Sequence, residues 1–222
     1  MKFSVVVPSY NHWKLTHSLL FDIYNNIPQD VEVIVVDDCS TDTEVMSGLN
    51  WWQTGMMKDR LRVIRNEKNV GFLRTANFGV SKATGDVVML ISNDVSIADK
   101  TVVTKLEEIL KKAEVPTLVG NRLLDYDTGW NTIDGKFYPY LEGWFLAFKA
   151  KEWGEFGGFD TRYTTCDCED LDISTTYISK GGKLVNLGAD MTHLGAQTIK
   201  YSPEREANTK INQERWREKW RN

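Results

Sequence analysis

The sequence predicts an α/β fold: a single domain built on one mostly parallel central sheet flanked by helices. Three observations carry that prediction. The apolar runs Phe3–Val7, Val31–Val36 and Val87–Ile91 are short, rich in β-branched residues and free of alternation, as strands buried on both faces are. The segments between them carry helical spacing, so crossovers join the strands and the strands point the same way. Each run also stops on small polar or acidic residues: Pro8-Ser9-Tyr10-Asn11, Asp37-Asp38 and Ser92-Asn93-Asp94. Three polar clusters should therefore meet at the carboxyl edge of the sheet, where open α/β sheets bind ligands.

The elements follow in order. After the first strand, Leu15, Leu19, Leu20 and Ile23 mark an amphipathic helix ending near Asn25-Asn26 and Pro28, which makes the opening a βαβ unit. The segment 43–57 is expected to be helical although Gly48 and Gly55 weaken its pattern, and 61–64 reads as a short strand. A helix over 74–83, ended by Gly85, feeds the third apolar run. Ser96 to Asp99 introduces a helix over 100–112, with Asp99 as its N-cap and Val102, Leu106, Ile109 and Leu110 as its buried stripe. Residues 116–120 read as a strand. From 121 to 140 the pattern dissolves into Gly, Asp, Thr and aromatics, as in hairpins or a long functional loop. A strand over 143–148, a short helix over 151–156, a helix over 170–179 and a strand over 183–187 complete the core. A charged tail from Ser202 is expected to be helical.

With 222 residues, the chain fits one domain with a substantial core. A net charge of -4 argues against a mainly nucleic-acid-binding protein. Three cysteines, Cys39, Cys166 and Cys168, cannot all pair and lack a doubled Cys-x-x-Cys, so a reducing, cytoplasmic setting is the simpler expectation. No stretch approaches a membrane span of roughly 20 apolar residues, and the chain opens on a strand rather than a signal sequence.

At this point the residues resemble family 2 glycosyltransferases. The matching segments are Val5-Val6-Val7-Pro8-Ser9-Tyr10-Asn11, Val36-Asp37-Asp38-Cys39-Ser40-Thr41-Asp42, and Asn69-Val70-Gly71 leading through Ala76-Asn77-Phe78-Gly79 to Gly85-Asp86. Gly157-Gly158-Phe159-Asp160 and Glu169-Asp170-Leu171-Asp172 resemble the acceptor-side signature. The motifs span nearly the whole chain in the family's order. The resemblance implies a GT-A fold with a Rossmann-like sheet, a nucleotide-sugar donor, a divalent metal (Mn2+ or Mg2+) and inversion at the anomeric carbon. It divides the domain into a donor-binding half over 1–120, an acceptor-binding and catalytic half over 121–199, and a tail over 200–222.

Such a transfer needs a seat for the base, charge compensation on the departing diphosphate, and a base for the acceptor hydroxyl. By resemblance Pro8, Tyr10, Asn11, Asp37 and Asp38 are the nucleoside candidates; a carboxylate accepts from a pyrimidine imide N–H and a tyrosine ring packs on a base. The competing reading makes one aspartate a helix cap. Asn69, Gly71, Arg74 and Asn77 are candidates near the diphosphate, with Arg74 on a solvated helix face as the alternative. Ser92-Asn93-Asp94 stands where the family carries Asp-x-Asp, so only Asp94 keeps a carboxylate for the metal, and Asn93 is placed on the donor, with the ribose as its alternative partner. His193 matches a late histidine that closes the metal site, and neutral imidazole suits Mn2+. Asp170 is implied as the general base, with Glu169 or Asp172 orienting the acceptor. The helix dipole there should favour the carboxylate form.

Trp130, Trp144 and Trp153 are candidates to line the acceptor site. The tail holds seven basic and four acidic residues between Lys200 and Asn222, with Trp216 and Trp220 among them. A closing helix whose tryptophans dock on the domain is the preferred reading; a polyanion site, and with it a nucleic-acid acceptor, is the other. UDP is the leading donor nucleotide, with a carbohydrate or other hydroxyl acceptor. A non-catalytic nucleotide-sugar or glycan-binding module on the same scaffold is the rival from another class.

Overall fold

A computed structural model describes residues 1–164, 167–195 and 203–221. The chain opens as β1 (Phe3–Ser9), α1 (Trp13–Asn26), β2 (Glu32–Asp37), α2 (Thr43–Thr54), β3 (Leu61–Arg65), α3 (Phe72–Lys82) and β4 (Val87–Ile91). It continues through β5 (Val95–Ile97), α4 (Val102–Lys111), β6 (Thr117–Gly120), the two-residue strands β7 (Leu123–Leu124), β8 (Thr132–Ile133), β9 (Lys136–Phe137) and β10 (Tyr140–Leu141), and β11 (Phe145–Lys149). The last elements are α5 (Ala150–Phe156), α6 (Glu169–Ser179), β12 (Lys183–Asn186), β13 (Met191–His193) and α7 (Pro203–Trp220).

Seven strands form the central sheet in the order β12-β6-β11-β4-β1-β2-β3. All neighbours are parallel except β11, which runs antiparallel to both β4 and β6. The reason for the non-alternating strands is visible in the packing. Val5 and Val7 face one apolar layer with Leu19, Leu20 and Leu106, while Val6 between them faces the other with Leu73, Ala76 and Tyr177. Successive side chains of a strand point to opposite faces, so covering both faces requires every position to be apolar.

Several expectations shift in detail. Asp99 does not cap α4, which begins at Val102 after Thr101; its carboxylate instead accepts from the Thr101 N–H at 2.7 Å in a turn before the helix. Val95–Ile97 is a short strand, paired antiparallel with β13 so that His193 lies opposite Val95. In the patternless stretch, β8 and β9 form a hairpin whose Asp134-Gly135 turn has positive φ at both residues, the chemistry a two-residue hairpin requires.

The tail docks. Trp216 is fully buried and its Nε1 donates to Thr175 Oγ1 at 3.3 Å. Asn212 donates to the Thr164 and Asp167 carbonyls at 2.6 and 3.0 Å. Lys219 and Trp220 both reach Asp172, at 2.8 Å each. Among the described residues no helix is long and apolar enough to cross a membrane.

Candidate active site

At the carboxyl ends of β1 and β2 the polar residues are tied to one another. Asp37 is fully buried, paired with Arg65 Nη1 at 2.5 Å and accepting from the Ser40 N–H and hydroxyl. Asp38 Oδ1 accepts from Asn66 Nδ2 at 2.8 Å and Val70 N at 2.9 Å, and Oδ2 accepts from Gly71 N at 2.8 Å. Asn11, in the left-handed region at φ 53°, uses Oδ1 to hold the Thr41 and Asp42 N–H groups at 2.8 and 3.0 Å. Neither aspartate caps α2; Asp42 does, accepting from Glu44 N at 3.0 Å.

These bonds show what several candidates already hold. Asp37 is spent on the loop it fastens. Pro8 is buried inside β1 opposite Val36, leaving Tyr10, half-buried and just past the strand, at the edge. Asn77 accepts from Trp153 Nε1 and Phe159 N and donates to the Phe159 carbonyl at 2.8 Å, so it pins the Gly157-Gly158 turn instead of facing the edge. Asn69 is exposed and accepts from Gly71 N at 3.2 Å, and Arg74 lies exposed on α3.

At the end of β4 the turn Ser92-Asn93-Asp94 is buried at its last two residues. Asn93 donates to Thr16 Oγ1 at 3.1 Å, and Thr16 in turn bonds Ser9 at 2.9 Å, which links the first and third polar clusters. Asp94 Oδ1 lies 3.3 Å from His193 Nε2. The His193 ring stacks on Trp144, with centroids 5.4 Å apart and planes 13° from parallel. Because β11 is antiparallel to β4, the residues just before it, Gly143 and Trp144, arrive beside the end of β4; Ser92 N donates to the Trp144 carbonyl at 2.9 Å. Gly143 N in turn donates to Asp170 Oδ2 at 3.2 Å. A Cβ on residue 143 would stand 3.2 Å from Asp170 Cβ, so glycine is what lets α6 come this close. The pair Asp94–His193 and the carboxyl of Asp170 are thus joined through Trp144 and Gly143.

Glu169 and Asp170 open α6 and line a cavity of about 240 Å³ with Trp130, Tyr140, Asp167 and Thr209. The dipole expectation fails here. Burial raises Asp170 to about 6 in spite of the N–H bonds from Leu171 and Gly143, which pull the other way, and Glu142 nearby adds to the rise. Burial, and then the Asp170 charge, push Glu169 well above the usual carboxylate range. Desolvation outweighs the partial charge of one helix end. Cys168, before them at φ 73°, is buried, and burial raises its thiol, so it is a packing residue and no nucleophile; Cys166 lies outside the described residues.

Residues 4–168 match the family model for glycosyl transferase family 2. The chain belongs to that family. The Streptococcus pneumoniae glycosyltransferase GlyG is 31% identical over 140 residues, 63% of this chain and 44% of GlyG, so the chain spans less than half of that relative. Among solved structures, GalNAc-T7 with UDP, GalNAc and Mn2+ aligns with TM-score 0.77 at 17% identity over 99% of this chain and 48% of its own. The Pyrobaculum calidifontis mannosyltransferase PcManGT with GDP-Man and Mn2+ aligns with TM-score 0.66 at 23% identity over 83% of this chain and 54% of its own. These likenesses give this family 2 chain a GT-A fold.

Within that fold, two acceptor-side candidates separate from the rest. Asp172 faces away from the cavity, buried among Tyr163, Lys219 and Trp220, and fastens α7. Trp153 is core, stacked on Phe148 at 4.2 Å. The sequence reading missed Asp167, Tyr140 and Thr209, which stand around Glu169 and Asp170. Only the proximity of Asp167 to Glu169-Asp170 could have signalled any of them; Tyr140 and Thr209 arrive from elements about 30 to 40 residues away. Among the described residues no cluster of three metal-ligating side chains forms; the available set is the pair Asp94 and His193.

Proposed function

We propose that this chain transfers a sugar, with inversion, from a nucleoside-diphosphate donor to an acceptor hydroxyl, with UDP as the leading nucleotide. The observation that carries the reading is the continuous path Asp94–His193–Trp144–Gly143–Asp170, which sets a carboxylate–imidazole pair and a desolvated carboxyl at one edge of the sheet. Tyr10, Asp38, Asn69 and Gly71 front the nucleoside and diphosphate, Asn93 stands toward the ribose, and Arg74 is the cation available to the phosphates.

The oxygen and nitrogen donors of Asp94 and His193 fit Mn2+ or Mg2+ when donor oxygens complete the shell. Such an ion, held there, would compensate the charge of the departing diphosphate. Asp170 takes the proton of the attacking hydroxyl; burial gives it a proton affinity closer to neutral pH, where a general base works best. Trp144 holds His193 in orientation and walls the space between donor and acceptor. Retention of the acid pair is what favours catalysis over the binding-module reading, because binding alone needs no buried base.

Thermal denaturation with UDP, GDP and their sugars, with and without Mn2+, tests the donor side, since a ligand of the native state stabilises it. A Mn2+-dependent upward shift is expected, and Asp94→Ala should abolish the Mn2+ dependence. An unchanged shift in Asp94→Ala would remove that residue from the metal site. Slow Mn2+-dependent hydrolysis of the donor without acceptor separates the enzyme from a binding module.

A further inference from the structure

The cavity at the start of α6 has a wall supplied by the C-terminal helix. Thr209 of α7 lines it, and the Thr209 hydroxyl lies 2.6 Å from Asp167 Oδ2, the same carboxylate that pairs with Arg205 at 3.0 Å. That wall is fixed. Trp216 is fully buried beneath it, Asn212 is bonded to the Thr164 and Asp167 carbonyls, and Asp172 receives both Lys219 and Trp220 at the far end.

One group in the cavity is left wanting a partner. Glu169 is 7% exposed, and its Oε2 is buried without a hydrogen-bond partner among the described residues. A buried oxygen in that state is destabilising, and a ligand hydroxyl entering the cavity would recover the missing bond. The lining also selects by charge. Asp167, Glu169 and Asp170 all border the space, whereas Arg205, the ion-pair partner of Asp167, does not. Among the described residues that border the space none is a cation, so a phosphate or carboxylate entering there would lose its water with no positive partner to replace it, an arrangement that rejects wrong partners. Trp130, 47% exposed, adds a flat apolar face of the kind that packs on a sugar ring.

We propose that α7 completes the acceptor subsite, and that this subsite takes an uncharged, hydroxyl-bearing sugar, with Glu169 bonding one of its hydroxyl groups and Trp130 packing on its face. Acceptors carrying a phosphate or carboxylate at the bound sugar are excluded. The inference rests on the transfer reaction proposed above.

The test compares neutral methyl hexosides with the matching hexose phosphates and uronic acids as acceptors for the full chain, following release of nucleoside diphosphate. The neutral compounds should exceed the anionic ones in kcat/KM by on the order of 100-fold. Thr209→Leu, which pushes apolar bulk into the space, and Glu169→Leu should each raise the acceptor KM by roughly tenfold, the scale of one lost bond. Glu169→Gln, which keeps a donor and an acceptor at that position, should restore most of the loss. Nucleotide-induced thermal shifts on the same variants show whether the donor side is intact. Equal use of anionic acceptors, or an unchanged acceptor KM in Thr209→Leu with donor binding intact, overturns this subsite. Failure of every nucleotide to shift the wild-type transition overturns the transfer reading itself, and the subsite with it.

Discussion

The two acidic stretches of this chain look alike in sequence and behave in opposite ways in the fold. At the end of β2, Asp37 and Asp38 are buried and fully engaged, one by Arg65 and Ser40, the other by Asn66 and two backbone N–H groups. At the start of α6, Glu169 and Asp170 are also withdrawn from water, yet Glu169 Oε2 has no partner among the described residues, and burial holds both carboxyls toward their protonated forms. The first pair spends its charge on shaping a loop. In the second, Glu169 keeps hydrogen-bonding capacity for something that arrives, while Asp170, bonded at both oxygens by backbone N–H groups, is set apart by its raised proton affinity. Burial alone does not mark a functional carboxylate; an unmet valence or a shifted proton affinity does.

The contrast can be broken by substitution, and the largest effect should come from the α6 pair. Asp170→Asn should lower turnover by roughly 100- to 10,000-fold, the scale of a general base, with the nucleotide-induced thermal shift unchanged. The wild-type kcat/KM should rise with pH through a midpoint at about 6, since the base form is the deprotonated one. Near-normal turnover in the folded Asn variant would take the role from Asp170.

Next in size, Asp38→Ala should cost about 1–3 kcal/mol of stability in urea denaturation, because two loop N–H groups lose their acceptor. Unchanged stability would make Asp38 a ligand group alone and erase the distinction drawn above. The smallest effect is a gain. For a carboxyl whose folded-state pKa is raised, stability is greatest while the group is protonated and is lost as pH rises through the folded pKa. The protein should therefore lose stability from pH 5 toward pH 8, and Glu169→Gln should flatten that slope and raise Tm at pH 8 by about 2–4 °C per kcal/mol recovered. A Tm that falls at pH 8 would show that Glu169 is satisfied in a way the geometry does not record.

Much of the sheet was legible because its signal is local. Val5 to Val7, Val33 to Val36 and Val87 to Ile91 are apolar at every position, and burial on two faces permits nothing else. The polar edge was legible for the same reason: Asp94 follows β4 directly. What could not be read is anything decided by a partner far along the chain. Asp37 and Asp38 are claimed by Arg65 and Gly71, 28 and 33 residues on. Asp172 looked like part of an acidic helix start until α7, 47 and 48 residues later, supplied Lys219 and Trp220. The raised Asp170 carboxyl was misjudged for a related reason. A helix dipole is visible in sequence, whereas the desolvation that overrides it depends on Gly143 and the cavity walls.

The antiparallel placement of β11 also bears on how the chain comes to be folded. Along β1, β2, β3 and β4 each new strand pairs with one already made, so that ladder closes as the chain grows. β6 is different, because its neighbours β11 and β12 both lie later in the chain. Until residues 145–149 insert between β4 and β6, two strands whose residues are all buried in the finished fold present unpaired edges to whatever is nearby. The insertion that carries Trp144 and Gly143 to the edge is therefore also the step that seals the sheet, and the interval before it is when the chain is most open to mispairing with another copy of itself.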